Sequence, residues 1–252
     1  MSLATVQRRG STTVASLDRA DKMNALSAAL IDELRAAVEG ASRDGTRLLV
    51  LRGNGRNFSA GFDMGGYETQ SEGDLLLRFV RIEQLLQALR HAPFDTLALA
   101  HGRNFGAGVD LMAACARRVA SPEATFRMPG LRFGLVLGSR LFAQRVGNER
   151  ARQVLQASQT FNAPDAHAWG FLTAVAPQEQ WDAIIEEAAA AASHLPAGSA
   201  GRLFAVTTPD TRDADLAELV RSAAQPGLKS RIAEYLAPSV APAQAGAQAT
   251  KE

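Results

Sequence analysis

The residues best suited to chemistry lie in two short segments that are rich in small side chains. Residues 58–64 read FSAGFDM and residues 101–111 read HGRNFGAGVDL, and each segment follows an apolar, strand-like run. Small residues after a strand leave main-chain N–H groups uncovered. Two such groups from different loops can stabilise one carbonyl oxygen as it gains negative charge. We therefore predict that the N–H groups of Ala60 and Ala107 form an oxyanion hole.

Asp110 is the acidic residue closest to this predicted site. It follows Ala107 in the first turn of a predicted helix. A carboxylate beside an oxyanion hole can move a proton at the carbon next to the carbonyl. An acid in a first helical turn also stabilises the helix dipole. Both a catalytic and a structural role are therefore open for Asp110.

The composition narrows the possible partners. The chain has 252 residues, a net charge of +1 and 46% hydrophobic residues, which provide a substantial core and no charge excess for nucleic acid or an acidic membrane surface. No apolar run approaches the ~20 residues of a membrane helix, the first residues lack a signal-peptide pattern, and the single Cys115 leaves no intramolecular disulfide. We expect a soluble cytoplasmic protein that binds neither nucleic acid nor membranes and holds no metal.

Strand and helix patterns alternate in the first half of the chain, and helices dominate the second half. Alternating and apolar runs predict strands at 3–9, 12–17, 48–51, 96–100, 119–120 and 125–126. Apolar residues at helical spacing predict a helix that Asn24 caps and that ends at Gly40. Further helices are predicted at 74–90, 111–115, 140–146, 149–157, 163–169, 178–193, 216–223 and 228–236. This order is typical of an α/β fold, with a boundary near residue 195 and a disordered tail at 238–252.

A rival interpretation concerns Gly102, Gly106 and Gly108, whose spacing imitates a dinucleotide-binding turn. A lone glycine pattern is a weak signal. That turn normally lies in the first βαβ unit, with an acidic residue about 20 positions later that binds the ribose. Here the glycines lie far along the chain, Glu123 belongs to a loop-like segment, and no Tyr-x-x-x-Lys pair is present. We therefore reject a nicotinamide cofactor.

Several motifs together resemble the crotonase superfamily, the enoyl-CoA hydratase/isomerase family. They are Leu17-Asp18-Arg19 leading into Asn24-Ala25-Leu26, the two segments described above, Arg140-Leu141, and FNAPDAHAWGFLTAV at 161–175. The resemblance implies a crotonase-like spiral of β-β-α units over 1–195 and a C-terminal helical trimerisation region over 196–237. It also implies a homotrimer or a dimer of trimers, acyl-CoA substrates and a place in fatty acid metabolism.

The resemblance also assigns roles to individual residues. Ala60 and Ala107 occupy the positions of the family's two oxyanion N–H groups. Coenzyme A is expected only as part of the substrate, with no permanently bound cofactor. Its adenine and ribose are expected to contact the loops that contain Lys22, Met23, Ser59, Ala60, Asp63 and Met64. Asp63 is expected to be structural or to face the ribose.

The chain departs from the family pattern at the positions that handle water. Hydratases of this family use two glutamates, because two carboxyl groups must share one water molecule. Asp110 occupies the first position, and Gly130, which has no side chain, occupies the second. The loop 134–140 reads GLVLGSR and contains no acid. The resemblance thus implies an acyl-CoA lyase or isomerase that is not an efficient hydratase. The alternatives are a decarboxylase, a thioester hydrolase, or a member that binds CoA thioesters without turnover.

Overall fold

The computed structural model describes residues 2–237 of the chain. The strands are β1 (Ala4–Arg9), β2 (Thr12–Leu17), β3 (Leu48–Gly53), β4 (Asp95–Ala100), β5 (Arg103–Phe105), β6 (Arg117–Ala120), β7 (Thr125–Arg127), β8 (Phe161–Asn162) and β9 (Ala174–Val175). The helices are α1 (Ala28–Ala41), α2 (Glu72–Arg90), α3 (Ala107–Ala114), α4 (Ser139–Val146), α5 (Asn148–Ala157), α6 (Ala163–Ala168), α7 (Trp181–Ala192), α8 (Ala197–Thr207), α9 (Arg212–Ala223) and α10 (Leu228–Leu236).

The strands form two sheets. The larger sheet has the order β1-β2-β3-β4-β6-β9, with β1 antiparallel to β2 and all later neighbours parallel. The smaller sheet has the order β5-β7-β8. Parallel neighbours need long crossover connections, which here contain helices. The predicted α/β class is therefore confirmed.

Side chains that alternate along β3 explain why both faces of the larger sheet are covered. Leu49 and Leu51 point into the main core, where they pack with side chains of α1, α2 and α3. Leu48 and Val50 point to the opposite face and pack in a second cluster with α7. Successive side chains of a strand face opposite sides, so a strand of four consecutive apolar residues needs helices on both sides.

Serine residues start the two helices that follow β2 and β3. The Ser27 hydroxyl accepts a hydrogen bond from the Leu30 N–H at 3.3 Å, and Ser71 forms a capping box with Asp74 at the start of α2. The prediction that Asn24 caps α1 is wrong. The Asn24 side chain instead accepts from the Arg19 N–H and donates to carbonyl oxygens of Asn54 and Asn57, so it ties two loops together.

The remaining predicted elements lie close to their predicted positions, and α8, β5, β8 and β9 are additional. The region predicted as one helix at 178–193 begins with a 3-10 turn at Gln178–Gln180 and continues as α7. The predicted tail at 238–252 lies outside the described residues, and the boundary near residue 195 stays a prediction. Between residues 2 and 237 no helix is both long and apolar enough to cross a membrane.

Candidate active site

A cavity of about 760 Å³ lies where several loops meet. Its walls come from the segments that follow β2, β3, β5 and β7, together with the last turn of α10. Loops at the carboxyl ends of parallel strands commonly build ligand sites, because they converge at one edge of the sheet. The cavity contains both of the small-residue segments singled out in the sequence.

The first segment supplies a free N–H group at Phe62 rather than at Ala60. The Ala60 N–H donates to the Met23 carbonyl oxygen at 2.8 Å, and the Gly61 N–H donates to the Ser59 hydroxyl at 3.1 Å. The prediction that Ala60 supplies an open donor is therefore wrong. Phe62 lines the cavity, and its N–H has no hydrogen-bond partner within residues 2–237.

The second segment supplies a free N–H group at Ala107, the residue singled out in the sequence. Ala107 is the first residue of α3 and lines the cavity. First-turn N–H groups of a helix have no partner inside the helix, and that of Ala107 has none elsewhere among the described residues. The helix start also carries a partial positive charge. The Ala107 N–H is therefore available to an electron-rich oxygen.

The two segments are in direct contact at Gly61. A Cβ atom placed on Gly61 would lie 3.1 Å from the Ala107 nitrogen and would overlap the Phe105 carbonyl oxygen, and the φ angle of Gly61 is +80°. Only glycine tolerates both the left-handed backbone and this close approach. Gly61 thus brings the loop of Phe62 against the start of α3.

Asp110 lies on α3 and is 2% exposed. It lines the cavity, and Oδ1 is buried without a hydrogen-bond partner in the described part of the chain. Gly138, with a φ angle of +62°, packs so tightly against Asp110 that a Cβ on residue 138 would overlap the carboxylate. A buried carboxyl without partners is costly to ionise, so its retention beside a cavity suggests chemistry rather than stability.

Burial raises the pKa of Asp110 well above the ordinary range of an aspartic acid, and the negative charge of Glu83 raises it further. A carboxyl group with a raised pKa is, once ionised, a stronger base than an ordinary carboxylate. This property suits removal of a proton from carbon.

Part of the cavity wall is apolar. Gly130 starts a 3-10 turn, Gly130–Phe133, and lines the cavity without a side chain. The acid-free loop that follows contributes Leu135 and Leu137. The Phe62 and Phe79 rings are stacked with centroids 4.2 Å apart, and both residues line the cavity. This wall suits an apolar acyl group.

Five of the six residues predicted to contact coenzyme A line the cavity, namely Lys22, Met23, Ala60, Asp63 and Met64. The sixth, Ser59, is fully buried and does not line it. Its hydroxyl donates to the Asn24 carbonyl oxygen at 2.9 Å, so the prediction for Ser59 is wrong. Asp63 pairs with Arg19 at 2.6 Å and also lines the cavity, so a structural role and a ribose-facing role both stay open for it.

Glu83 is a buried carboxyl near this site that sequence reasoning missed. It lies on α2 and is 3% exposed, one turn away from the buried Phe79 and Leu86. A charged residue among apolar residues on the buried side of a helix is the signal that could have found it. No group of three His, Cys, Asp or Glu side chains in the described part of the chain is placed to hold a metal ion.

Comparisons with known proteins agree with this geometry. A family model described as enoyl-CoA hydratase/isomerase matches residues 7–225. A Mycobacterium leprae protein described as a probable enoyl-CoA hydratase is 32% identical over 189 residues, which are 71% of this chain and 74% of that protein.

Two crystal structures share the fold. One, described as a candidate enoyl-CoA hydratase/isomerase from Bordetella parapertussis, has 54% identity and a TM-score of 0.93, and the match covers 94% of this chain and 99% of that one. An enoyl-CoA hydratase from Bacillus halodurans has 19% identity and a TM-score of 0.83, over 92% of this chain and all (100%) of that one. At this lower identity the likeness concerns the fold alone.

Proposed function

Because the chain belongs to the enoyl-CoA hydratase/isomerase family, we propose that it moves a proton at the carbon next to the carbonyl of an acyl-CoA thioester. One observation carries the proposal: a buried carboxyl group without a partner, that of Asp110, lines the same cavity as the two free N–H groups of Phe62 and Ala107. This combination supplies a base and an oxyanion hole and needs no further group.

The proposed reaction uses the three groups in two successive proton transfers. The Asp110 carboxylate takes a proton from the α-carbon, and the electron pair of that C–H bond moves onto the thioester oxygen. The N–H groups of Phe62 and Ala107 donate hydrogen bonds to this oxygen and stabilise its negative charge. Asp110 then returns the proton to the α-carbon or to the γ-carbon of an unsaturated chain, and return to the γ-carbon shifts the double bond. The class of reaction is therefore isomerisation by proton transfer.

Part of the cavity wall suits the coenzyme A part of the substrate. Lys22 and Arg127 line the cavity, and their positive charges favour phosphate groups. Tyr235 and Leu236 of α10 also line the cavity. We propose that the CoA moiety contacts Lys22, Met23, Ala60 and Met64, while the acyl group lies against Phe62, Phe79 and Leu137.

A second candidate function is binding of CoA thioesters without turnover. Gly130 and the acid-free loop favour it, because the second carboxyl of a hydratase is absent there. A panel of enoyl-, malonyl- and hydroxyacyl-CoA thioesters, followed by mass spectrometry, separates the two candidates. Product formation at an enzyme-like rate supports catalysis, whereas tight binding of every thioester without product would support a binding protein.

Replacement of Gly130 by Glu is expected to raise hydration of 2-butenoyl-CoA by about tenfold or more, because it adds a second carboxyl group to the cavity. A Cβ on residue 130 would lie 3.2 Å from the Leu135 carbonyl oxygen, so a small local shift accommodates it. Loss of absorbance of the conjugated thioester measures the rate. Gly130→Gln is the matched control, since it adds the same volume without a carboxyl. Equal rates for both variants would contradict the interpretation.

We also propose that the protein assembles as a homotrimer or a dimer of trimers. Leu203 is 46% exposed and Val206 is 82% exposed on α8, and apolar side chains grouped on a surface are typical of interfaces. Light scattering is expected to give the mass of three or six chains. Val206→Glu should weaken the assembly, and a monomer at all concentrations for the unmodified protein would refute it.

A further inference from the structure

Glu83 is a buried acid without a cationic partner. Its side chain accepts a hydrogen bond from Gln87 Nε2 at 2.8 Å, and among residues 2–237 it forms no salt bridge. Burial of an ionisable group without a counter-charge destabilises the fold. An apolar residue at this position would therefore stabilise the packing of α2 against its neighbours more than Glu83 does. Stability does not explain the presence of Glu83.

A second, smaller cavity connects Glu83 to the surroundings of Asp110. This cavity has a volume of about 160 Å³, and Glu83, Gly138 and Ser139 line it. Gly138 also packs directly against the Asp110 carboxylate, and Ser139 lines both this cavity and the large one. Since a water molecule takes about 30 Å³ in the liquid, the small cavity has room for a short chain of waters that runs from Glu83 to Gly138 and Ser139.

We propose that Glu83 is a positioning residue that exchanges protons with Asp110 through water in the small cavity behind Gly138. The inference rests on the proposed function, because it concerns how the proton that Asp110 holds during that reaction exchanges with solvent. After Asp110 has taken a proton from the α-carbon, it passes that proton to water, and the Glu83 carboxylate accepts one from the same chain of waters. The reverse transfer reloads Asp110. Each step moves one proton between oxygen atoms and involves no oxidation.

The charges around Glu83 leave it free for this task. The charged or titratable groups that face it, from α2, α3, α4 and α9, are Arg90, His91, Asp110, Arg140, Arg212, Asp215 and Glu218. Two of the basic groups are held by acidic partners: Arg140 pairs with Asp215 at 2.6 Å and Arg212 pairs with Asp210 at 2.6 Å. Arg90 donates to the Gln144 side chain at 3.1 Å and forms no salt bridge with Glu83.

The protonation of Glu83 changes within the ordinary pH range. Burial raises the pKa of Glu83 to about 6, so the group exchanges protons readily near neutral pH. Its negative charge in turn raises the pKa of Asp110. Removal of that charge should therefore lower the pKa of Asp110 and move the rate profile to lower pH.

The test is exchange of the α-protons of butyryl-CoA in D₂O, followed by mass spectrometry from pH 5 to pH 9. Glu83→Gln keeps the acceptor for Gln87 but cannot carry a proton between carboxyl groups. We expect it to slow exchange by about tenfold and to shift the pH profile downward. Glu83→Asp, which restores a carboxyl group, should recover the position of the profile. Glu218→Gln, a charge removal at the rim of the same cavity, should leave rate and profile unchanged.

The outcomes distinguish the proposed proton exchange between Glu83 and Asp110, called the relay below, from the proposed function. If the unmodified protein exchanges no proton of any thioester, the proposed function fails and the relay has nothing to serve. If it exchanges protons and Glu83→Gln matches it in rate and pH profile, the relay is wrong while the proposed function stands. Should Glu83→Gln fail to fold, the unmodified protein still decides, because two coupled carboxyl groups predict two ionisations in the profile and an isolated Asp110 predicts one.

Discussion

Asp110→Asn is expected to lower turnover of the true substrate by about 10²- to 10⁴-fold, the usual contribution of a general acid or base. The amide has the size of the carboxyl group but cannot take a proton from carbon. Asp110 lies in the first turn of α3 and is not among the residues proposed to contact coenzyme A, so the Kd for acyl-CoA should change little. Initial rates and calorimetric binding measure the two effects. Unchanged turnover would remove Asp110 from the mechanism.

The Asp110→Asn substitution is also expected to change how the stability of the folded protein depends on pH. The pKa of Asp110 is raised by burial and then by Glu83, so the folded state prefers the protonated form. Stability from this group is present below the unfolded pKa of about 3.9 and is lost as pH rises through the folded pKa. The Asp110→Asn variant does not undergo this loss of stability, because an amide side chain does not ionise. Its Tm relative to the unmodified protein should therefore increase as the pH rises above the unfolded pKa. Asp165→Asn, at an exposed position on α6, is the control and should show no such trend.

Ala107→Pro is expected to lower kcat by about 10²- to 10³-fold, the cost of losing one oxyanion donor. Proline has no N–H group, and its ring occupies the direction in which that group points. The first position of a helix tolerates proline, because the N–H there has no partner inside the helix. The fold should therefore survive, which circular dichroism and thermal unfolding can verify.

Ala107→Gly is the matched control for this experiment, since it removes a methyl group and keeps the N–H. We expect the glycine variant to retain most of the activity. A proline variant that is folded and as active as the glycine variant would show that the Ala107 N–H does not stabilise the reaction.

The sequence predicts much of the fold, because the spacing of its apolar residues shows which faces of the strands and helices are buried. The run at Leu48–Leu51 has no polar face, and the structure covers it with α1, α2 and α3 on one side and with α7 on the other. The α/β class and the crotonase-like fold are confirmed by the sheets and by the matched structures. The start of α1 was misplaced, because Asn24 and Ser27 are both suitable caps and only the contacts of Asn24 with another loop exclude it.

The site was predicted less completely, because sequence shows which residues are small and does not show where each N–H points. Ala60 and Phe62 belong to one motif. The Ala60 N–H donates to the Met23 carbonyl oxygen, so the Phe62 N–H is the one available to a ligand. Asp110 and Ala107 were found because they share a helix start with the glycine-rich segment. Sequence analysis missed Glu83, because this residue comes near Asp110 only when α2 packs against α3 in the folded protein.

The most direct test of the oxyanion hole is the infrared stretching frequency of a ¹³C-labelled thioester carbonyl bound to Asp110→Asn, a variant expected to hold the substrate without turnover. Hydrogen bonds from Phe62 and Ala107 should lower this frequency relative to the thioester in water, and Ala107→Pro in the same background should reverse part of the shift. A bound carbonyl that absorbs at its frequency in water, in both proteins, would contradict the account.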